Sequence, residues 1–468
     1  MRIISALIII LLSCPSVWAL DVYYPKSEKV NINSPTTFFI GCADTKIELT
    51  INGETVPVHQ SGGFAHFVKL NNGENIFELK SGDDTLKYII NSNHKKAVTV
   101  PSVNGTTEIA SVPKVKEFGC QKIFLTKSKR SVIRKTPSTM GFNRVTQLGE
   151  NIPLYSDAEY GKFYRVNFGK NENYWILKSD VKKDLHEIND GAMIISKEFS
   201  EDKEFLTYKY KFVGKSPYII TENSDRNYEH GLGLNFYNLL TKPDLATAVY
   251  FPLQSALFGY SAEYSDNDFI LKIRKPPKIN KSKPLKNITI TVDAGHGGSE
   301  NGAIGCLGNK EKDINLDVAI KLQKELKKRG ANVIMTREED VKRDLYDRVE
   351  ITNASNSSIF VSIHANALPD TMNPLTHRGT SVFYYYPQSK GLAESILKSV
   401  IETAKTNNDG LRQGNYAVIR NTYALSVLIE LAYMINPEDN AMLIDENFRT
   451  KCAQAIATGI ENYLKSLI

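Results

Sequence analysis

Cysteine is scarce in this chain of 468 residues, with five in total. No two of them form a CxxC pair or a zinc-finger spacing, which excludes the small zinc modules held by paired thiolates. Long apolar runs are also missing. The run at residues 3–12 is too short to cross a bilayer and nothing later is long enough, so no membrane-spanning helix is predicted. Low-complexity tracts are absent as well, which argues against wholesale disorder.

What is present is the composition of a soluble globular protein. Hydrophobic residues make up 41% of the chain and charged residues 24%. A chain of 468 residues is too long for one compact core, so two to four domains are expected. The formal net charge of +6 suits an anionic cell wall or membrane surface and is equally compatible with an ordinary basic surface. No nucleic-acid partner is predicted.

The N-terminus predicts export to the periplasm or cell envelope. Arg2 precedes the apolar run at residues 3–12, Pro15 interrupts the chain, and small residues surround Ala19, as in a signal peptide spanning residues 1–19. A second possibility is lipoprotein anchoring at Cys14, because residues 11–14 loosely resemble a lipoprotein cleavage box. Cleavage after Ala19 leaves four cysteines, whose pairing the sequence does not determine.

Three β-rich modules are predicted next. Residues 20–95 alternate polar and apolar side chains around an Asn52-Gly53 turn and resemble the immunoglobulin-like domains of some exported enzymes. Residues 115–184 resemble bacterial SH3 barrels, many of which bind cell-wall peptides. Residues 185–273 are similar to small β modules that target enzymes to the envelope. These modules are expected to contact the wall, and envelope or divisome proteins are further candidate partners.

Residues 274–286 contain three prolines, six basic residues and no acid. This composition predicts a stiff, solvated linker and a domain boundary, so that residues 287–468 form a separate C-terminal domain.

The C-terminal domain alternates strands and helices. Apolar runs predict strands at residues 288–292, 332–335, 359–363 and 427–429, and a closing helix at 448–467. Val318, Leu322 and Leu326 lie at helical spacing within residues 315–329. The fold class is therefore multidomain. Small all-β modules precede an α/β domain with a mixed, largely parallel sheet flanked by helices.

Four residues that could bind a metal ion or take part in catalysis lie at predicted strand ends or helix starts of this domain. His296 follows the first strand, Glu311 heads the first helix, His364 ends the third strand and Glu430 ends the late strand. Two imidazoles and one carboxylate suit a hydrolytic zinc site, and a further carboxylate can transfer protons. Taken singly, each residue is also compatible with an ordinary surface or hydrogen-bonding role. Cys306 is an alternative soft ligand.

Residues 286–468 resemble the Amidase_3 family of zinc-dependent N-acetylmuramoyl-L-alanine amidases. The resemblance rests on VDAGHGG, KEKDINLDVA, VSIHANA and VLIELAYMINPED, among other motifs in the same order. It implies that His296, Glu311 and His364 bind one zinc ion and that Glu430 is catalytic. The implied reaction is hydrolysis of the bond between N-acetylmuramic acid and L-alanine in peptidoglycan, for wall remodelling or daughter-cell separation.

Several substrate contacts and one regulatory feature remain open. Asn366 and Arg378 are candidate substrate-binding residues, and His377 is a loop residue or a substrate contact. Arg337, Arg348 and Arg378 could hold stem-peptide carboxylates or serve as structural ion-pair partners. Some members of the family block their zinc with an inserted helix. Only 65 residues separate His364 from Glu430 here, so no such helix is expected.

Two rival functions are compatible with the same residues. A zinc carboxypeptidase or another wall peptidase would use the same metal set on a peptide bond. A non-catalytic wall-binding protein would keep the fold but lose a ligand, and no ligand is missing.

Overall fold

The computed structural model describes residues 20–94, 114–169, 172–183, 191–223, 231–240, 248–253 and 256–468. The predicted signal peptide and the alternative anchor at Cys14 lie outside these residues. Over the described ranges, no helix is both long and apolar enough to span a membrane, and no disulfide joins the cysteines.

Residues 20–94 form two sheets around a shared core. The strands are β1 Asp21–Tyr24, β2 Lys29–Ile32, β3 Thr36–Cys42, β4 Leu49–Ile51, β5 Glu54–Val56, β6 Gly63–Lys69, β7 Gly73–Ser81 and β8 Asp84–Ser92. One sheet has the order β1-β3-β6 and the other β2-β8-β7-β4-β5. Phe39 of the first sheet and Leu79 of the second are buried in one cluster. Asn52 and Gly53 both have positive φ, the conformation that a two-residue hairpin requires.

Residues 114–169 and 172–183 form one seven-stranded antiparallel sheet. Its strands are β9 Lys116–Thr126, β10 Ser131–Arg134, β11 Arg144–Leu148, β12 Pro153–Tyr160, β13 Phe163–Gly169, β14 Glu172–Leu177 and β15 Val181–Lys183, in the order β11-β10-β14-β13-β12-β9-β15. The prediction of β-rich modules is confirmed, whereas their likeness to immunoglobulin-like and SH3 domains stays a prediction.

The third β-rich stretch shares its core with the second. Its strands are β16 Met193–Glu201, β17 Phe205–Val213, β18 Tyr218–Asn223, β19 Gly231–Phe236, β20 Ala248–Pro252, β21 Tyr260–Ser265 and β22 Asp268–Arg274. Ile133 and Phe168 of the earlier sheet lie in one buried cluster with Leu232 and Phe269. Apolar packing therefore continues across the boundary predicted between residues 184 and 185.

The proline-rich stretch after β22 has no regular structure and is held at both ends. Lys278, Lys281, Lys283 and Lys286 are exposed, but Leu285 is buried in the core of the C-terminal domain. At the other end, the Arg274 guanidinium donates to Asn356 Oδ1 at 2.7 Å and to the Tyr423 carbonyl at 3.2 Å. The predicted linker thus carries solvated charges between two anchored ends.

The C-terminal α/β domain confirms the predicted fold class. Its elements are β23 Thr289–Ala294, α1 Glu311–Lys328, β24 Asn332–Met335, α2 Leu345–Ala354, β25 Ile359–Asn366, β26 Thr380–Tyr384, α3 Lys390–Ala404, β27 Asn408–Gln413, β28 Leu425–Tyr433, α4 Pro437–Ile444 and α5 Glu446–Lys465. The sheet order is β24-β23-β25-β28-β26-β27, and β26 runs antiparallel to β28. The other pairs are parallel, so the carboxyl ends of β23, β25 and β28 meet at one edge.

The apolar side chains at helical spacing in α1 are the ones that this helix buries. Val318, Leu322 and Leu326 are buried in the central cluster together with residues of β23 and β25. The helix ends where Gly330 takes φ +94, with the Gly330 and Ala331 amides donating back to the last turn. That arrangement satisfies carbonyls that would otherwise lack partners, and glycine meets its positive φ without strain.

Residues 20–94, the first β unit, pack directly on the C-terminal domain. Phe38 and Ile40 of β3 lie in the same buried cluster as the central sheet. The Asp370 carboxylate, in the loop after β25, accepts hydrogen bonds from the Tyr24 hydroxyl and from Thr37 Oγ1, each at 2.6 Å. This contact between distant parts of the chain was not predicted from the sequence.

Candidate metal and catalytic site

Three side chains converge where β23, α1 and β25 meet. Glu311 Oε1 lies 3.1 Å from His296 Nε2 and 2.9 Å from His364 Nδ1. The three candidate ligand atoms all lie within 4.8 Å of one another. The residues that the sequence analysis singled out are therefore brought together.

Backbone geometry makes room for this cluster. His296 has φ +60, an uncommon conformation for a residue with a side chain, and its carbonyl accepts a 2.9 Å hydrogen bond from Arg348 Nη2. A Cβ atom at Gly295 would collide with the His364 imidazole, and one at Gly302 would collide with Glu311. Glycine at these two positions lets the loop close around the imidazoles and the carboxylate.

The Glu311 carboxylate is almost fully buried and held from several sides. Its Oε2 accepts from the Ala303 amide at 2.8 Å, and its Oε1 accepts from Asn315 Nδ2 and the Ala365 amide, each at 3.2 Å. Burial alone would raise the pKa of Glu311, but hydrogen bonds from His296 and His364 outweigh it and lower the pKa well below its usual range. The group is therefore an oriented carboxylate.

Glu430 lies beside His364 on the neighbouring strand. The two residues are register partners of parallel β25 and β28, which directs both side chains to the same face. Glu430 is 9% exposed, and its buried Oε2 has no hydrogen-bond partner among the described residues. Burial raises the pKa of Glu430 to about 7, with the charge of Glu311 adding to the effect and His364 opposing it. A carboxyl with that pKa can both accept and release a proton near neutral pH.

The donor set fits zinc. Two imidazole nitrogens and one carboxylate oxygen are the usual protein ligands of a hydrolytic zinc ion, which keeps a further position for water or substrate. Among the described residues, this is the one group of three or more His, Cys, Asp or Glu side chains close enough to hold a metal ion. The second carboxylate, Glu430, is adjacent to the group but is not a member of it.

Comparison with known proteins identifies the family. Residues 290–462 match the Amidase_3 family, described as N-acetylmuramoyl-L-alanine amidase. The uncharacterized protein YqiI of Bacillus subtilis is 33% identical over 197 residues, which cover 41% of this chain and 93% of YqiI. The chain belongs to the Amidase_3 family. The prediction made from its motifs is confirmed.

Two further relatives show how much of the chain is shared. "Probable cell wall amidase LytH" of Staphylococcus epidermidis is 39% identical over 187 residues, or 40% of this chain and 61% of LytH. The chain thus spans about three fifths of the length of LytH. The solved catalytic domain of CwlV, an N-acetylmuramoyl-L-alanine amidase from Bacillus (Paenibacillus) polymyxa, is 35% identical. That match covers 39% of this chain and 99% of the solved chain, with a TM-score of 0.36.

A buried ionic network lies next to the candidate ligands of this Amidase_3 domain. The Asp293 carboxylate accepts from Arg348 Nη1, Thr336 Oγ1 and Ser362 Oγ, each at 2.6 Å. Arg337 donates to the carbonyls of Ala294 and Gly295, both at 2.9 Å. Arg337 and Arg348 are 3% and 2% exposed. Arg348 is therefore a structural ion-pair partner, one of the two alternatives left open by the sequence. Arg337 fits neither alternative, because it is buried and donates to backbone carbonyls that precede His296.

Asp293→Asn is expected to destabilise the chain by roughly 3–5 kcal/mol, because it leaves the buried Arg348 guanidinium without a counter-charge. Arg348 and the hydrogen bonds together lower the pKa of Asp293 despite its burial. The stabilisation is therefore present above the ordinary carboxyl pKa and is lost as the pH falls through the lowered value. Urea unfolding of the full chain measures the change.

Glu78→Gln is the matched control for Asp293→Asn. It removes one charge from an exposed pair with Lys80 at 2.6 Å and should cost less than about 1 kcal/mol. Equal effects of the two substitutions would show that the Asp293 network contributes no special stability.

The remaining candidates from the sequence, Asn366, Arg378 and Cys306, are not members of the group of three candidate ligands. Asn366 is half-buried and its Oδ1 accepts from the Ala367 amide at 2.9 Å. Arg378 pairs with Asp439 at 3.1 Å and with Glu438. Cys306 is buried outside the ligand group, and its thiol lies 3.8 Å from the Met434 carbonyl. Its candidacy as a soft ligand is therefore not supported.

Sequence reasoning missed one polar pair near Glu430. The Tyr433 hydroxyl donates to Asp409 Oδ2 at 2.8 Å, and the charge of Asp409 contributes to the raised pKa of Glu430. The His377 ring lies 6.2 Å from the Tyr433 ring. Tyr433 lies in a recognised motif, but Asp409 lies in a polar stretch without periodicity, so no local signal indicated it.

The stretch between His364 and Glu430 is described completely. Its α-helix is α3, which packs against α5 through a 2.8 Å hydrogen bond from Ser395 Oγ to the Gly459 carbonyl. Three one-turn helices complete the helical content of this stretch. No inserted helix beyond these lies between residues 365 and 429, as the short spacing predicted.

Proposed function

We propose that this chain hydrolyses the amide bond between N-acetylmuramic acid and L-alanine in peptidoglycan, using zinc. The observation that carries the proposal is the convergence of His296, Glu311 and His364 beside the buried Glu430. Membership of the Amidase_3 family supports the same reaction class.

His296, Glu311 and His364 would hold one zinc ion. When bound, zinc polarises the scissile carbonyl and lowers the pKa of a water molecule towards about 7. The hydrogen bonds to Glu311 from Ala303, Asn315 and Ala365 hold the carboxylate in place. Binding of the metal would therefore require only a small change in the position of this carboxylate.

Glu430 would act as the proton shuttle. Its Oε2 is buried without a hydrogen-bond partner among the described residues, so it is available to accept a proton from the attacking water. Its raised pKa then favours delivery of that proton to the departing amine of L-alanine. We assign secondary substrate-positioning roles to Asn366 and Arg378. Arg378 would exchange its exposed partner Glu438 for a carboxylate of the stem peptide.

We also propose where the protein acts in the cell. The chain is inferred to be exported, with residues 1–19 as signal peptide, and to act in the periplasm or cell envelope. The name of LytH as a cell wall amidase supports this location. The β-rich units would hold the catalytic domain against peptidoglycan or envelope proteins, and the role would be wall remodelling or daughter-cell separation.

Digestion of purified sacculi by the zinc-loaded full chain tests the proposal. Mass spectrometry of the soluble products should find intact stem peptides that begin with a free L-alanine amine, and glycan strands that retain unsubstituted lactyl groups. Peptides cut within the stem would instead assign the site to a wall peptidase. Cleavage is expected without an added activator, since no inserted helix lies between His364 and Glu430.

A further inference from the structure

Three arginine side chains lie where the second β unit, residues 114–169 and 172–183, contacts the C-terminal domain. Arg134 and Arg144 are direct register partners on antiparallel β10 and β11, which places both side chains on one face of the sheet. Arg420 comes from the one-turn helix Ala417–Arg420 of the C-terminal domain. We call these three residues the arginine cluster.

Contacts between the two units bring Arg420 towards the other two arginines. Asn415 Nδ2 donates to the Gly141 carbonyl at 2.8 Å, and the Phe142 ring stacks on the Tyr385 ring at 6.0 Å. The Arg420 guanidinium is held by the Asn415 carbonyl at 2.9 Å and by its Oδ1 at 3.0 Å. Asn415 therefore ties Arg420 to the loop that precedes Arg144.

The arginine cluster has no directly paired carboxylate in the part of the chain that the structure describes. Within the described ranges, Arg134, Arg144 and Arg420 form no ion pair with a carboxylate, and their side-chain acceptors are the amides of Asn143, Gln147 and Asn415. Arg134 is only 6% exposed, and its Nε has no hydrogen-bond partner. The charge of Asp180 acts on Arg134 without reaching ion-pair distance.

This arrangement is costly unless an anion completes it. Burial and the neighbouring guanidinium groups lower the pKa values of both Arg134 and Arg144. Like charges on directly opposed strand positions destabilise a sheet, and a buried charge without a partner is strongly unfavourable. A bound anion shared by the three arginines would offset the repulsion between them and the cost of burying their charges.

The junction also contains space for a ligand. A cavity of about 570 Å³ is lined by residues of the second β unit, of the third β unit (strands β16 to β22 with their connecting loops) and of the C-terminal domain. Arg420 and Gln147 lie on its wall. Arg134 and Arg144 do not line it, and Arg144 is linked to it through Gln147, which accepts a hydrogen bond from Arg144 at 3.3 Å. The cavity is separate from the zinc ligands. None of His296, Glu311, His364 and Glu430 lines it.

We propose that the arginine cluster binds a phosphate group at this junction and thereby links the second β unit to the C-terminal domain. Guanidinium groups form paired, charge-assisted hydrogen bonds to phosphate oxygens. A phosphate monoester carries nearly two negative charges and three acceptor oxygens at neutral pH, so it compensates three guanidinium groups better than a carboxylate does. The phosphate would be free or carried on a larger envelope molecule.

Isothermal titration of the full chain with inorganic phosphate tests this proposal without using the hydrolytic activity. Wild-type chain should bind saturably, and Arg144→Gln and Arg420→Gln should each weaken binding at least tenfold. Arg343→Gln, at an exposed position outside the cluster, is the matched control and should bind like wild type. Thermal unfolding of each variant without phosphate shows that it is folded, and phosphate should raise the midpoint of wild type and control alone.

Two further titrations identify the ligand class. Competition by glycerol 3-phosphate would show that the site accepts phosphate on a larger molecule, and lack of competition would restrict it to free phosphate. Either result keeps the assignment. The proposal is overturned if phosphate does not bind saturably, if folded Arg144→Gln and Arg420→Gln bind it like wild type, or if acetate binds as tightly as phosphate.

Discussion

Glu430→Gln is expected to leave zinc bound and to slow hydrolysis by roughly 100- to 10,000-fold, the usual contribution of a general acid–base residue. Glutamine keeps the volume of the buried side chain but cannot take up and release a proton. Glu430 lies beside the group of three candidate ligands and is not a member of it, so the metal should be retained. Zinc content by mass spectrometry and turnover of a muropeptide measure the two effects separately.

Glu402→Gln is the control for this experiment. Glu402 is exposed on α3, and its substitution should change neither zinc content nor turnover. If Glu430→Gln loses zinc, Glu430 is a ligand and the assigned role is wrong. If turnover is unchanged, another group moves the proton.

Removal of a ligand imidazole should have a larger effect, since it removes the metal itself. His296→Ala and His364→Ala are each expected to abolish zinc retention and to reduce hydrolysis to background. A site with three protein ligands loses much of its affinity when one is removed. The measurements are zinc content after dialysis, muropeptide turnover and circular dichroism, which shows that each variant is folded.

His59→Ala is the matched control. His59 lies in the first β unit, where its Nδ1 contacts Ser61 Oγ at 2.8 Å, far along the chain from the ligand group. It should retain both zinc and activity. Chelation of the wild-type chain should reproduce the loss, and added zinc should restore hydrolysis in the wild type and in His59→Ala only. Full activity of a folded His296→Ala or His364→Ala variant would remove the zinc assignment.

The central strands and the ligand set were predictable because their signals are local. Strands β23, β25 and β28 contain short, largely buried apolar runs. His296 lies two residues after β23, whereas β25 and β28 continue past the predicted strand ends, so that His364 and Glu430 lie within these strands directly after their apolar runs. Parallel strands bring their carboxyl ends to one edge, so His364 and Glu430 were expected to meet before any contact was known.

Helices α2 and α4 and strand β27 were not predicted. The buried residues of α2 are Arg348 and Thr352, so that helix lacks the apolar spacing on which sequence prediction depends. Helix α4 has eight residues and begins at Pro437 with an Asn436 cap, a signal too short to stand out. Strand β27 is polar and at the edge of the sheet, where pairing with β26 and not burial sets its conformation.

The sequence by itself determined the family, the α/β class of the C-terminal domain and the residues that meet at the candidate zinc site. These follow from periodicity and from motifs that each occupy a few consecutive residues. Only the tertiary structure decided that Arg337 and Arg348 are buried supports, that Asp370 joins the first β unit to the C-terminal domain, and that Arg134, Arg144 and Arg420 share a junction. Those roles depend on contacts between segments that lie tens to hundreds of residues apart in the chain. Such contacts are determined by tertiary packing, so they cannot be predicted from the residues on either side of each position.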